Sequence, residues 1–244
     1  MTPPRLSILD VPIDPVTLSE AVARMQSMLQ SKSQHHVMTP NPEMLVAAQT
    51  MPAFLSVLQS ASLTIPDGVG LLFAARFLGM TLPERVTGID VVMKFCKETK
   101  TSVFLLGAGT GVAERAAEVL RQSNPFLIIA GTHAGSPAQE EEADILERIN
   151  TSGTSVLFVA YGAPIQDLWI ARNLGRMPYV KIAMGVGGSF DFLAGVRLRA
   201  PLWMCSLGLE WLYRLFREPR RIRRIVTAVI VFPFLVARSR FRLR

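Results

Sequence analysis

Apolar and polar positions along the 244-residue chain change period repeatedly, from short aliphatic runs to stretches with helical spacing. Leu18, Val22, Met25 and Leu29 recur at intervals of three and four, which predicts a helix over 18–29 capped by Thr17 or Ser19. Apolar runs at 7–9, 36–39 and 63–66 predict strands. Asn41-Pro42-Glu43 predicts another helix start, with Asn41 as the cap and Pro42 in the first position. Further helices are predicted over 69–78 and through 90–98. The second half is more regular, with strands predicted at 103–107, 127–130, 156–160 and 180–186 and helices at 112–122, 139–150 and 166–174. There is no internal repeat.

This alternation predicts an α/β fold with a mostly parallel central sheet and helices on both faces. In open sheets of this kind the ligand lies beyond the carboxyl ends of the strands. The loops at those ends are Thr39-Pro40-Asn41, Pro66-Asp67-Gly68, Gly107 to Gly111, Tyr161-Gly162-Ala163-Pro164 and Gly185-Val186-Gly187-Gly188. Glycines such as Gly107, Gly109 and Gly187 let backbone N–H groups approach a ligand closely, so a substrate carrying phosphates fits.

Composition narrows the class. A hydrophobic fraction of 50% excludes a disordered chain. Two cysteines, Cys96 and Cys205, exclude a disulfide scaffold and a Cys-based zinc site, and point to a reducing compartment. The first residues lack a signal-peptide pattern, and no run reaches the ~18 apolar residues that span a bilayer. A secreted or conventional integral membrane protein is therefore not expected.

Charge divides the chain. The net +7 resolves into +9 from Arg214 onward and −2 over the preceding residues. Inside the basic tail, residues 225–237 carry no charge, are flanked by arginines and contain Pro233, which would kink a helix. The pattern suits the boundary between headgroups and acyl chains, while a helix packed on the body is the alternative. Nucleic acid is not expected, because few aromatic or base-reading residues stand among these arginines. The expected organisation is a body of residues 1–213 and a basic, membrane-associating appendage of residues 214–244.

Candidate chemistry is sparse when taken motif by motif. Gly107 to Gly111 approaches a dinucleotide fingerprint, but its third glycine comes one place early and no acid follows about 20 residues on. A nicotinamide site is thus disfavoured, and a phosphate contact at that helix start stays open. Asp67 between Pro66 and Gly68 reads as an ordinary turn or as a general base at a strand end. His35, His36 and His133 lack metal-ligand spacing, and no GxSxG elbow is present.

Taken together, several segments carry more. They are Thr39-Pro40-Asn41-Pro42-Glu43, Pro66-Asp67-Gly68-Val69-Gly70, Arg85-Val86-Thr87-Gly88-Ile89-Asp90, Gly162-Ala163-Pro164-Ile165-Gln166-Asp167-Leu168-Trp169, Gly185-Val186-Gly187-Gly188-Ser189-Phe190-Asp191, Arg199-Ala200-Pro201, and Gly208-Leu209-Glu210-Trp211-Leu212-Tyr213-Arg214, followed by Glu218-Pro219-Arg220-Arg221. In this order and spacing, over about residues 8–224, the chain resembles the WecG/TagA/CpsF family of bacterial glycosyltransferases.

The resemblance implies a Rossmann-like α/β fold of the GT-E type. It implies inverting, metal-independent transfer without a cofactor, from a UDP-sugar donor to a sugar linked to undecaprenyl diphosphate. The place implied is the cytoplasmic face of the bacterial inner membrane, bound peripherally; the basic tail makes an anionic surface the expected partner, with a homo-oligomer as a further possible partner. Asp67 matches the catalytic carboxylate, and Thr39 and Asn41 match a pair beside it that orients sugar hydroxyls. Arg85 matches a pocket arginine. Gln166 matches the glutamine of a Pro-Lys-Gln-Glu segment that here reads Pro164-Ile165-Gln166-Asp167, so the family's lysine is missing. Arg214, Arg221 and Arg224 are candidates for diphosphate contact, and Trp211 and Tyr213 fit a core or a membrane rim. The sugar could be N-acetylmannosamine, its uronic acid, glucose or glucuronic acid. A non-catalytic sugar-nucleotide binder and a nucleotide-dependent oxidoreductase are the alternatives.

Overall fold

The computed structural model describes residues 4–201, 203–204, 210–217 and 222–242. Leu6–Ile8 (β1) and Val11–Ile13 (β2) form an antiparallel hairpin. Leu9 and Asp10 turn it with φ of 50° and 63°, the left-handed pair that a two-residue hairpin turn uses. His35–Met38 (β3), Leu63–Thr64 (β4), Ser102–Gly107 (β5), Ile128–His133 (β6), Val156–Ala160 (β7) and Ile182–Gly185 (β8) form one parallel sheet. Its order is β4-β3-β8-β7-β5-β6.

Both faces are covered, which is why the central strands read as unbroken apolar runs. Every residue of β7 is buried; Val156 and Phe158 face one cluster while Leu157 and Val159 face another. The first face carries Leu18–Leu29 (α1), Gly88–Glu98 (α5), Val112–Ser123 (α6) and Ser189–Leu193 (α9). The second carries Pro42–Ala48 (α2), Pro52–Ser60 (α3), Val69–Phe77 (α4), Gln139–Ser152 (α7) and Ile165–Asn173 (α8). The α/β architecture and parallel sheet anticipated from the periodicity are thus present. Thr17 caps α1 in a capping box with Glu20, Asn41 caps α2 ahead of Pro42, and Thr87 caps α5.

Three elements have no counterpart in the periodicity. Helix α3 has a short polar edge of only Ser56, Gln59 and Ser60, β2 has only three residues around Pro12, and α9 has five. The basic tail also takes a definite place. Ile222–Val226 (α11) leads through a π-type turn over Thr227–Val231 into Phe232–Arg242 (α12), after Glu210–Arg217 (α10). The wider turn stands just before Pro233, whose ring removes one backbone donor from the ladder.

The segment from residue 222 packs against the body. Phe232 is 1% exposed and joins Met38, Met44, Leu71 and Ala74 in the second core cluster, as does Val236. Arg224 pairs with Glu43, and Arg240 Nη1 donates to the Phe77 carbonyl at 2.8 Å. Phe232 and Val236 are four apart and so share one helix face, while Ile230 and Phe234 stay exposed. Among the described residues no helix is long and apolar enough to cross a membrane.

Candidate active site

A cavity of about 950 Å³ opens at the carboxyl ends of β3, β4, β7 and β8. The strand order turns here: β4 lies outside β3, whereas β8 and β7 lie on its other side. The loops leaving these strands therefore diverge and leave a crevice.

Asp67 follows β4 and its loop is fixed from both sides. Its backbone N–H donates to the Pro40 carbonyl at 3.0 Å, and the N–H of Val86 donates to the Pro66 carbonyl at 2.9 Å. These two bonds bring together the loops carrying Thr39 and Asn41, Asp67, and Arg85, all of which line the cavity. Asn41 is partly committed, because its Oδ1 accepts from the Met44 N–H at 3.0 Å as the helix cap. A side chain at Gly88 would stand 3.5 Å from Thr39 Oγ1 and 3.6 Å from Ser189 Oγ, so the start of α5 fits between two hydroxyls.

Gln166 is 4% exposed and closes the opposite side. Its Oε1 accepts the N–H groups of Gly162 and Gly187, each at 3.0 Å, and so ties the loop after β7 to the loop after β8. Gly187 lines the cavity, but its N–H is already used by Gln166. Behind Gln166, Asp167 is 1% exposed and its carboxylate lies 3.5 Å from Nε2 of the buried His36. Gly185 leaves room for both: a Cβ there would stand 2.5 Å from Asp167 Oδ1.

Arginines supply positive charge, each in a defined setting. Arg199 clamps Asp90 with two bonds of 2.7 and 2.8 Å, and Thr87 Oγ1 donates to the same carboxylate at 2.5 Å. Burial alone would raise the Asp90 pKa. The bonds from Arg199 and Thr87, with the charges of Arg199 and Arg85, outweigh it and hold the group below the ordinary carboxylate range. Arg197 pairs with Asp191 at 3.3 Å, and Arg224 with Glu43. Arg85, Arg197, Arg199 and Arg224 all line the cavity. Among the described residues no group of three or more His, Cys, Asp or Glu could hold a metal ion.

Of the residues singled out in the sequence, Thr39, Asn41, Asp67, Arg85, Gln166, Gly187 and Arg224 meet in this one cavity, with Trp211 at its edge. Gly107 and Gly109 do not line it. Gly107 has a packing reason instead, since a Cβ there would come within 2.8 Å of the Ala160 backbone. The loop on which an oxidoreductase reading depended thus stands outside the cavity. Arg221 and the side chain of Arg214 lie outside the described residues. Arg197 escaped the sequence reading, as did Phe73 and Phe77 of α4, while Ser189 and Asp191 stood inside a quoted motif without a role. Arg199 stood inside a quoted motif without a role, and only its distant partner Asp90 reveals one.

Comparison with known proteins gives this geometry a lineage. The glycosyl transferase WecG/TagA/CpsF family profile matches residues 6–244. The N-acetylglucosaminyldiphosphoundecaprenol N-acetyl-beta-D-mannosaminyltransferase of Staphylococcus aureus strain MRSA252 is 30% identical over 245 residues, covering 98% of this chain and 95% of the relative. Its counterparts in strains MW2 and NCTC 8325 are 29% identical over the same shares. With the profile spanning nearly the whole sequence, the chain belongs to the glycosyl transferase WecG/TagA/CpsF family.

Proposed function

We propose that this glycosyltransferase moves a sugar from a UDP-sugar to a saccharide carried on undecaprenyl diphosphate, with inversion and without a metal ion. The relatives' names narrow the transferred sugar to N-acetyl-β-D-mannosamine and the acceptor to N-acetylglucosaminyldiphosphoundecaprenol. The observation that carries the reading is the Asp67 carboxylate, held at a strand end in the same cavity as Thr39, Asn41, Gln166 and four arginines.

In this mechanism an acceptor hydroxyl attacks the anomeric carbon of the donor from the face opposite UDP. The new C–O bond forms as the bond to the UDP oxygen breaks. The hydroxyl proton passes to Asp67, and UDP leaves with the electron pair. Thr39 and the amide group of Asn41 orient sugar hydroxyls. Arg85, Arg197, Arg199 and Arg224 supply a positive field for the leaving diphosphate, and their carboxylate partners hold the last three in place. The tail from Arg214 onward brings the body to an anionic membrane surface on the cytoplasmic side. Its +9 charge and its exposed Ile230 and Phe234 support that role.

The test is Asp67→Asn, assayed with UDP-N-acetylmannosamine and a lipid-diphosphate-N-acetylglucosamine acceptor. Turnover should fall at least ~10²-fold while UDP binding and the unfolding temperature stay unchanged. A variant turning over at near the parent rate removes Asp67 from the mechanism.

A further inference from the structure

The cavity has two halves of opposite chemistry. Around Asp67, Arg85 and Gln166 it is polar and charged, as described above. Beyond them it continues between α4 and the tail, where Phe73 and Phe77 oppose Val229, Phe232, Pro233 and Val236. None of these six side chains carries a hydrogen-bonding group. Phe232 and Val236 form the buried floor, whereas Phe73 is 65% and Phe77 45% exposed. At the outer end, the Arg240 guanidinium lies 4.7 Å over the Phe77 ring. At the inner end, Arg224 and Glu43 mark the border with the polar half.

A hollow with apolar walls that runs into a charged catalytic site selects an amphiphile with both parts in one molecule. The nucleoside of the donor is a poor occupant, because the polar edge of its base would be left without partners against these walls. We propose that this half is a slot for the isoprenoid units next to the diphosphate of the acceptor, so that Phe73 and Phe77 make the enzyme selective for prenyl chain length. The proposal rests on the reading of a polyprenyl-diphosphate-linked acceptor. Branched hydrocarbon buried on Phe73, Phe77 and the tail floor leaves the diphosphate at the charged border and the acceptor sugar toward Asp67. The slot is distinct from membrane attachment, since it acts on a single acceptor molecule in water.

The test uses the full chain and N-acetylglucosaminyl diphosphate esters bearing methyl or two isoprene units, below their micelle concentrations and without vesicles. For the parent protein, the prenyl ester should show a KM at least about tenfold below that of the methyl ester, in line with burial of several CH₂ groups. In Phe73→Ser/Phe77→Ser this advantage should shrink below about threefold, because the walls are gone. Both positions are exposed, so the variant should fold, which its unfolding temperature checks. Phe126→Ser, which removes an exposed aromatic outside the cavity, should keep the full advantage. A parent KM independent of chain length overturns the slot and leaves glycosyl transfer standing. So does a double variant that keeps its chain-length preference but binds vesicles less well, since the patch is then only an anchor. Absence of transfer to every ester strikes the functional reading itself, and direct binding of geranyl diphosphate then judges the slot. Binding lost in the double variant supports it, and equal binding by both proteins overturns it.

Discussion

Replacing Gly185 by alanine tests how the two sides of the cavity are held together. The new Cβ would stand 2.5 Å from Asp167 Oδ1 and 2.8 Å from Gln166 Cδ. Neither neighbour has room to retreat, since both are buried in the first turn of α8. Overpacking of this kind costs about 1–3 kcal/mol. Displacing Gln166 also breaks its bonds from Gly162 and Gly187, each worth about 1 kcal/mol. A total of roughly 3–5 kcal/mol corresponds to a fall of about 6–20 °C in unfolding temperature for a chain of this size. The activity should fall further than stability alone accounts for, because both freed loops border the cavity. The assay is thermal unfolding with and without UDP, alongside kcat/KM at a temperature where the variant is folded. The UDP-induced rise, which measures ligand affinity for the folded state, should shrink in Gly185→Ala. Gly175→Ala, with no atom within 4 Å of the new group, is the control and should be silent. An unfolding temperature within about 2 °C of the parent, with an unchanged UDP response, would show that Gln166 does not hold the loops as described.

Turnover should survive EDTA, since arginines line the cavity and no cluster of metal-ligating side chains is found among the described residues; a loss restored by added Mg²⁺ or Mn²⁺ would contradict this. The full chain should sediment with anionic vesicles and be released as salt rises, because basic residues near such a surface contribute about 1 kcal/mol each and are screened; equal binding to neutral vesicles in high salt would refute the electrostatic share. Arg199→Gln should destabilise the protein most near neutral pH and least in acid. Asp90 has a lowered pKa in the folded state, so its stabilisation is complete above the unfolded value and is lost as pH falls through the folded one; a stability gap between parent and variant that is constant from pH 7 to strongly acidic solution would refute the clamp.

Much of this architecture is legible in the sequence because it follows from local periodicity. Strands such as Val156–Ala160 are apolar throughout since both faces of the sheet are covered, and α1 announces itself by spacing and by its Thr17–Glu20 capping box. Helix α3 is less legible, because its polar edge is confined to Ser56, Gln59 and Ser60 while its exposed first turn, Pro52 and Ala53, is apolar. Thr39, Asn41 and Asp67 could be picked out because they stand just beyond strand ends or open a helix, whereas Arg85, in the loop between α4 and α5, and Gln166 are marked by the family resemblance. Their partners could not be picked out. Arg199 and Asp90 are 109 residues apart, and nothing local at either position specifies the other. Gly107 shows the opposite failure. Its sequence suits a phosphate loop, but β7 separates β5 from β8, β7 and β8 together separate it from β3, and the absent side chain makes room for Ala160.

The tail shows why charge and packing must be considered together. Its arginines and uncharged run suggest an external surface element, and composition goes no further. The fold assigns the two faces of one helix to different tasks: Phe232 and Val236 complete the core and the cavity wall, while Ile230 and Phe234 point outward. Burying those two inner side chains fixes the outer face relative to Asp67, because the same helix borders the cavity. A displacement of α12 would therefore open the apolar half of the cavity and remove the guanidinium over Phe77 in one movement. On the reading proposed above, attachment and acceptor selection share this one segment. A substitution chosen to weaken one through the buried face must disturb the other, whereas one confined to Ile230 or Phe234 can separate them.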